Sequence, residues 1–156
     1  MPDFYYIIDA TNKIMGRMCT QVAKQALLGY HIVIINAKDT IISGTKREIF
    51  EHYLDKLNIS TSTNPRRGPF HKRRPDTFLK RVITQMLPKK TIRGKEAAKR
   101  VHVYISEIPE RFKKRYPNLK ELKLQNCEKE RLKYYNKIIS LENLCDRIGS
   151  WKKAEV

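Results

Sequence analysis

Twelve consecutive residues, Asn64-Pro65-Arg66-Arg67-Gly68-Pro69-Phe70-His71-Lys72-Arg73-Arg74-Pro75, hold five arginines or lysines. Arginine presents a planar fork that fits two phosphate oxygens at once, and lysine adds a compact point charge. The prolines narrow the unbound ensemble, so less entropy is lost when such a loop settles on a phosphate backbone. Phe70 and His71 offer flat faces that can stack on bases. Phe70 has a second reading, as an anchor that pins a mobile loop to the protein's own core. A second cluster follows: Lys89, Lys90, Arg93, Lys95, Lys99 and Arg100. It surrounds an expected helix start, where backbone N–H groups favour anions. Its plainer reading is a solvated turn. Arg17 and Lys46, near two other expected helix starts, are further candidates for phosphate contact.

Other chemistries find little support. Ser43-Gly44-Thr45-Lys46 follows a strand but lacks the spacing of a phosphate-binding GxxxxGK[ST] loop, so it reads as a helix cap. Serine, histidine and aspartate are all present, yet no GxSxG element joins them. Glu128 and Glu130 sit among lysines and read as solvated surface. His31, His52, His71 and His102 are dispersed, and Cys19, Cys127 and Cys145 show no CxxC spacing. That pattern suits free thiols in a reducing compartment and gives no zinc site. The reading therefore expects no metal, no cofactor, no small-molecule substrate and no enzyme. Neither basic cluster carries a recognition-helix, zinc-finger or RRM pattern, which favours recognition of folded RNA through shape and backbone.

The charge is segregated. The 156 residues carry a net +17 with a pI of about 9.9, and 40% are apolar, enough for a real core in one domain. Residues 1–55 hold six basic and six acidic residues; 56–100 hold fourteen and two; 101–156 hold thirteen and eight. A solvated face normally mixes signs, and the middle segment barely does. Such charge is a liability that a polyanion offsets. A membrane partner is not expected: no run of eighteen apolar residues occurs, and Met1-Pro2-Asp3-Phe4 lacks the basic start of a secretory signal.

The elements that must position these residues are partly legible. Phe4–Asp9 reads as a buried strand, with Thr11 or Asn12 capping a helix from Ile14 to Leu28 and Gly29 ending it. His31–Asn36 is a continuous β-branched run, which suits a parallel strand covered on both faces. Together they make a βαβ unit. Thr45 and Glu48 fit a capping box for a helix to about Leu57, with Ile49, Phe50, Tyr53, Leu54 and Leu57 on its apolar side. Residues 58–75 read as a long loop without regular structure, and a loop of that length is normally functional or disordered. A helix from Pro75 buries Phe78, Leu79, Val82, Ile83, Met86 and Leu87 until Pro88. A basic turn leads to a short helix at Glu96–Arg100, then a third strand at Val101–Ile105. The less legible extension, 111–156, has a basic irregular stretch at Arg111–Tyr116. Its Tyr134–Ile139 is either a fourth strand or the end of a helix begun near Glu128. A last helix, capped by Ser140, ends at Ile148-Gly149.

Several motifs occur in a familiar order. Ile8-Asp9-Ala10, Met15-Gly16-Arg17-Met18, Val22-Ala23-Lys24, Ile35-Asn36-Ala37 and Ile42-Ser43-Gly44 resemble the start of the universal large-subunit ribosomal protein L-thirteen family. Met86-Leu87-Pro88-Lys89-Lys90-Thr91, Arg93-Gly94-Lys95 and Ala97-Ala98 continue the likeness over roughly residues 5–110. The loop Asn64–His71 resembles the archaeal and eukaryotic branch, and Ser140-Leu141-Glu142 with Ile148-Gly149 resembles archaeal members. Thr84-Gln85 departs from the basic residue and glycine that the family often carries there. The resemblance implies an α/β fold, three-layer α/β/α with a four-stranded, mainly parallel sheet. It further implies large-subunit rRNA and neighbouring ribosomal proteins as partners, a role in subunit assembly, and a cytoplasmic place in the ribosome. The competing readings are a small RNA-processing or RNA-modifying enzyme and a basic adaptor for acidic proteins.

Overall fold

Two apolar β-branched runs build the centre. β1 (Tyr5–Asp9) and β2 (His31–Ile35) pair in parallel, Tyr5 opposite His31 and Asp9 opposite Ile35. β4 (Val101–Val103) adds beside β2 and β5 (Leu119–Glu121) beside β1, also in parallel, giving the order β4-β2-β1-β5. A separate antiparallel pair joins β3 (Ile41–Ser43) to β6 (Ile138–Ser140). The computed structural model describes residues 5–116, 118–132 and 137–149.

Alternation along the strands sends side chains to two faces. Ile8, Ile32 and Ile34 enter the main core with Met18, Val22 and Ala26 of α1 (Met15–Leu27) and Phe78, Leu79 and Ile83 of α3 (Pro75–Gln85). The other face is thinner. Val33, Tyr5, Ile7 and Ile35 meet Ile108, Tyr116 and Phe112, where α5 (Glu110–Lys113) forms the cover. The architecture is the expected three-layer α/β/α with a four-stranded parallel sheet. Leu141, Leu144, Cys145 and Ile148 of α6 (Leu141–Ile148) join the main core, so the C-terminal region helps to build the centre.

Gly29 adopts φ +101° after α1, the conformation a helix-ending glycine supplies. Ser140 caps α6, its Oγ accepting from the Asn143 N–H at 3.4 Å. Other local expectations need correction. The residue before α1 is Ile14, with no side-chain cap; the Thr11 hydroxyl donates instead to Asp9 Oδ1 at 2.7 Å. Thr45 precedes α2 (Lys46–Asn58) without a side-chain cap, so the capping box does not form. Leu54 of α2 and Met86, the residue after α3, are exposed rather than part of an apolar face. α4 (Ile92–Lys99) begins four residues earlier than expected, because the Thr91 hydroxyl accepts from the Gly94 N–H at 3.2 Å. Residues 110–113 are helical rather than irregular. The fourth strand of the main sheet is β5, which the pattern reading missed. Of the run at Tyr134–Ile139, residues 134–136 lie outside the described residues and 138–140 form β6.

Candidate nucleic-acid interface

The loop between α2 and α3 is organised by Asn64. Its backbone oxygen accepts from the Thr61 hydroxyl at 2.6 Å and from the Arg67 N–H at 3.0 Å, and its Oδ1 accepts from the Arg66 N–H at 3.1 Å. A single 3₁₀ turn at Pro65–Arg67 results, the one regular piece where none was expected. It holds Arg66 and Arg67 outward and exposed. Phe70 is 70% exposed, which removes its reading as a core anchor. His71 turns inward in its place: it is half-buried, and its Nε2 is shielded from solvent with no hydrogen-bond partner among the described residues. An unpaired buried polar atom costs about 1–3 kcal/mol. Lys72 is exposed, Arg73 donates to the Gly149 carbonyl at 3.4 Å, and Arg74 pairs with Asp76 at 3.1 Å. Buried Pro75 then opens α3 as its first residue.

The outward face of α3 connects this loop to the second cluster. Lys80, Arg81, Thr84 and Gln85 line a shallow depression of about 300 Å3 together with Lys72, Thr77 and Lys89. The sequence reading did not select Lys80 or Arg81. The signal was present: α3 buries Phe78, Leu79 and Ile83, so the intervening 80 and 81 must face out.

In the second cluster Lys89, Lys90, Lys95 and Lys99 are exposed. Arg93 and Arg100 are occupied by the fold. Arg93 donates to the Leu27 carbonyl at 3.1 and 3.4 Å, and Arg100 to the Ala26 carbonyl at 3.5 Å and to Glu96 at 3.4 Å. Both close the C-terminal end of α1, where free carbonyls and the helix dipole favour positive charge. Gly94 makes the geometry possible: a Cβ there would lie 2.0 Å from the Pro88 carbonyl oxygen. Arg17 stands apart in a hollow with Ile41 and Ser43 and donates to the Asn126 carbonyl at 3.4 Å. Lys46 is exposed at the first position of α2 and lines neither the depression on α3 nor the hollow of Arg17.

The two acids of residues 56–100 are both spoken for, Asp76 by Arg74 and Glu96 by Arg100. Among the described residues, no salt bridge joins the segment's other cations to these two carboxylates. Burial pushes the Cys19 and Cys145 thiols up to about 12 and also raises Cys127, which disfavours the thiolate form at all three. Among the described residues no cluster of His, Cys, Asp and Glu is arranged to hold a metal, and no helix is long and apolar enough to cross a membrane.

Comparison with known proteins points to one family. Residues 3–110 match the family described as Ribosomal protein L13. Similar curated proteins, each called large ribosomal subunit protein uL13, come from archaea. The one from Methanopyrus kandleri is 44% identical over 67% of this chain and 64% of its own length. The one from Methanocaldococcus jannaschii is 46% identical over 64% and 73%, and the one from Thermoplasma volcanium 36% identical over 92% and 97%. The chain thus spans just under two thirds of the Methanopyrus protein and nearly all of the Thermoplasma one. A parallel four-stranded sheet, the motif order from Ile8 to Ala98, and a match covering most of the sequence lead to one assignment: this chain belongs to the ribosomal protein L13 family.

Proposed function

We propose that this protein is a structural constituent of the large ribosomal subunit in the cytoplasm, binding rRNA through one continuous cationic surface and supporting subunit assembly. The observation that carries the reading is the continuity itself. Lys72 of the loop, Lys80 and Arg81 of α3, and Lys89 before α4 border a single depression, and the segment's two carboxylates pair with Arg74 and Arg100 rather than with these four. Arg66, Arg67, Arg73 and Arg74 extend the surface on the loop, with Lys90, Lys95 and Lys99 beyond Lys89. Phe70 stands exposed among them, available to stack on an unpaired base. Neighbouring ribosomal proteins are the further partners. The family consists of ribosomal proteins rather than enzymes.

Binding works by charge neutralisation. If about eight of these cations meet phosphate, log K falls with log salt at a slope of roughly −6 to −7. Arg93 and Arg100 are secondary contributors, because their guanidinium groups already hold α1. The test is incorporation of the variant R66A/R67A/R73A/R74A into large subunits, measured by co-sedimentation after a high-salt wash. Loss of the variant from the washed particle is expected. Incorporation equal to the unaltered chain removes the loop from the interface.

A further inference from the structure

A cleft of about 310 Å3 lies between α2, the end of the loop, α3 and α6. Its floor is apolar, formed by Leu57, Phe78, Val82 and Ile148. The Tyr53 ring flanks it, packed against Phe78 at 5.4 Å. Its rim is a different material: the cations Lys56, Lys72 and Arg81, and the exposed amide of Gln85. His71 also lines the cleft. An apolar floor with a few convergent polar groups is the ordinary make-up of a small-ligand site, and the volume falls at the small end of the usual range. The cleft shares Lys72, Arg81 and Gln85 with the depression on the outward face of α3.

We infer that this cleft receives one unstacked nucleotide of the bound RNA. The inference rests on the RNA-binding reading above and makes it more specific. A base fits the floor, because bases have flat apolar faces and polar edges. The Gln85 amide offers one donor and one acceptor to such an edge, and the His71 ring lines the same cleft. Arg81, Lys72 and Lys56 hold the 5′ and 3′ phosphates at the mouth. RNA readers commonly splay out single bases in this way, whereas a continuous duplex cannot fill so narrow a cleft. The cleft therefore gives a surface otherwise governed by charge a point of register along the RNA.

The experiment uses the full chain and four probes, the ribonucleoside monophosphates, with ribose 5-phosphate as the base-free control. Binding is followed by NMR of the His71 ring and the Gln85 side-chain amide. At least one nucleotide should shift both signals at millimolar concentration, while ribose 5-phosphate, which can meet only the rim, leaves the His71 ring unshifted. Gln85→Ala, an exposed substitution that leaves the core intact, should weaken that nucleotide at least about fivefold. Val82→Phe, which fills the floor, should abolish its binding. Equal responses to the nucleotides and to ribose 5-phosphate would overturn the inference, and so would undiminished nucleotide binding by Gln85→Ala. These readouts need no ribosome. Failure of the arginine-depleted variant test, with nucleotide binding retained, strikes the broader function and not the cleft.

Discussion

The loop at 59–74 holds five cations and the turn and helix at 89–100 hold six, yet the fold uses them differently. In the loop, Arg66, Arg67 and Lys72 stand exposed, and their neighbours Arg73 and Arg74 each make one contact at the chain surface. In the second region the two arginines reach back across the molecule to the last carbonyls of α1, while the four lysines stay outside. Arginine and lysine thus divide the labour there. The forked guanidinium bridges two helices, and the ammonium groups remain for a partner. Density of charge in a sequence does not separate cations that hold a fold from cations that a fold presents.

Substitutions can test that separation directly. The largest expected effect belongs to the loop. Removing Arg66, Arg67, Arg73 and Arg74 together should make the salt slope of rRNA binding shallower by about 3, read from affinities over a salt series. The same variant should unfold in urea within about 1 kcal/mol of the unaltered protein, since exposed ion pairs contribute little. Next is Gly94→Ala. The added Cβ collides with the Pro88 backbone, and overpacking of this kind costs about 1–3 kcal/mol. Urea unfolding should report that loss, and RNA affinity should fall too as the turn bearing Lys89 and Lys90 shifts. Arg100→Ala comes third, at about 1 kcal/mol, from lost hydrogen bonds of a half-buried charged group. Lys95→Ala, one helical turn away, should leave stability unchanged within about 0.5 kcal/mol. If Lys95→Ala destabilised as much as Arg100→Ala, the division between holding and presenting cations would fail.

The parts of the fold that sequence made visible are those with strong local signals. β1, α1 and β2 were legible because continuous apolar runs and helical periodicity coincide with a glycine stop at Gly29. α6 was legible from Ser140 and Gly149. β5 was not, because Leu119-Lys120-Glu121 is a three-residue edge strand with all three residues exposed; no apolar pattern marks it, and its pairing with β1 is set by tertiary contact. The antiparallel β3–β6 pair joins segments about a hundred positions apart, a separation that local pattern does not encode. The same distinction governs the site. Which residues are cationic was plain from composition. That Arg93 and Arg100 serve α1, that His71 turns inward while Phe70 turns out, and that Lys80 and Arg81 join the two clusters are consequences of packing.

The smallest effect concerns a charge that the fold declines to accept. His102, half-buried on the edge strand β4, packs its ring against Tyr116 at 5.8 Å. Burial lowers its pKa below the ordinary 6.5, and the positive field of Lys80 and Arg115, with His31, lowers it further. The unfolded chain therefore binds this proton more readily than the folded one. The resulting stability is complete above about pH 6.5 and is lost as pH falls from there through the folded value. Urea midpoints measured from about pH 7.5 down to about pH 5 should decline over that window, and His102→Gln should flatten His102's share of the decline. Asp9 titrates in a separate, more acidic window. Burial raises its pKa, but the hydrogen bonds from Thr11 and Asn36 and the charge of Lys13 outweigh burial and hold it below 3.8. Added salt sharpens the comparison, because it screens Lys80 and Arg115 without restoring lost hydration. A decline that shrinks in salt assigns part of the shift to the crowd of cations; one unchanged by salt assigns it to burial alone. The first outcome is expected if the surface around α3 carries unneutralised positive charge in the absence of RNA.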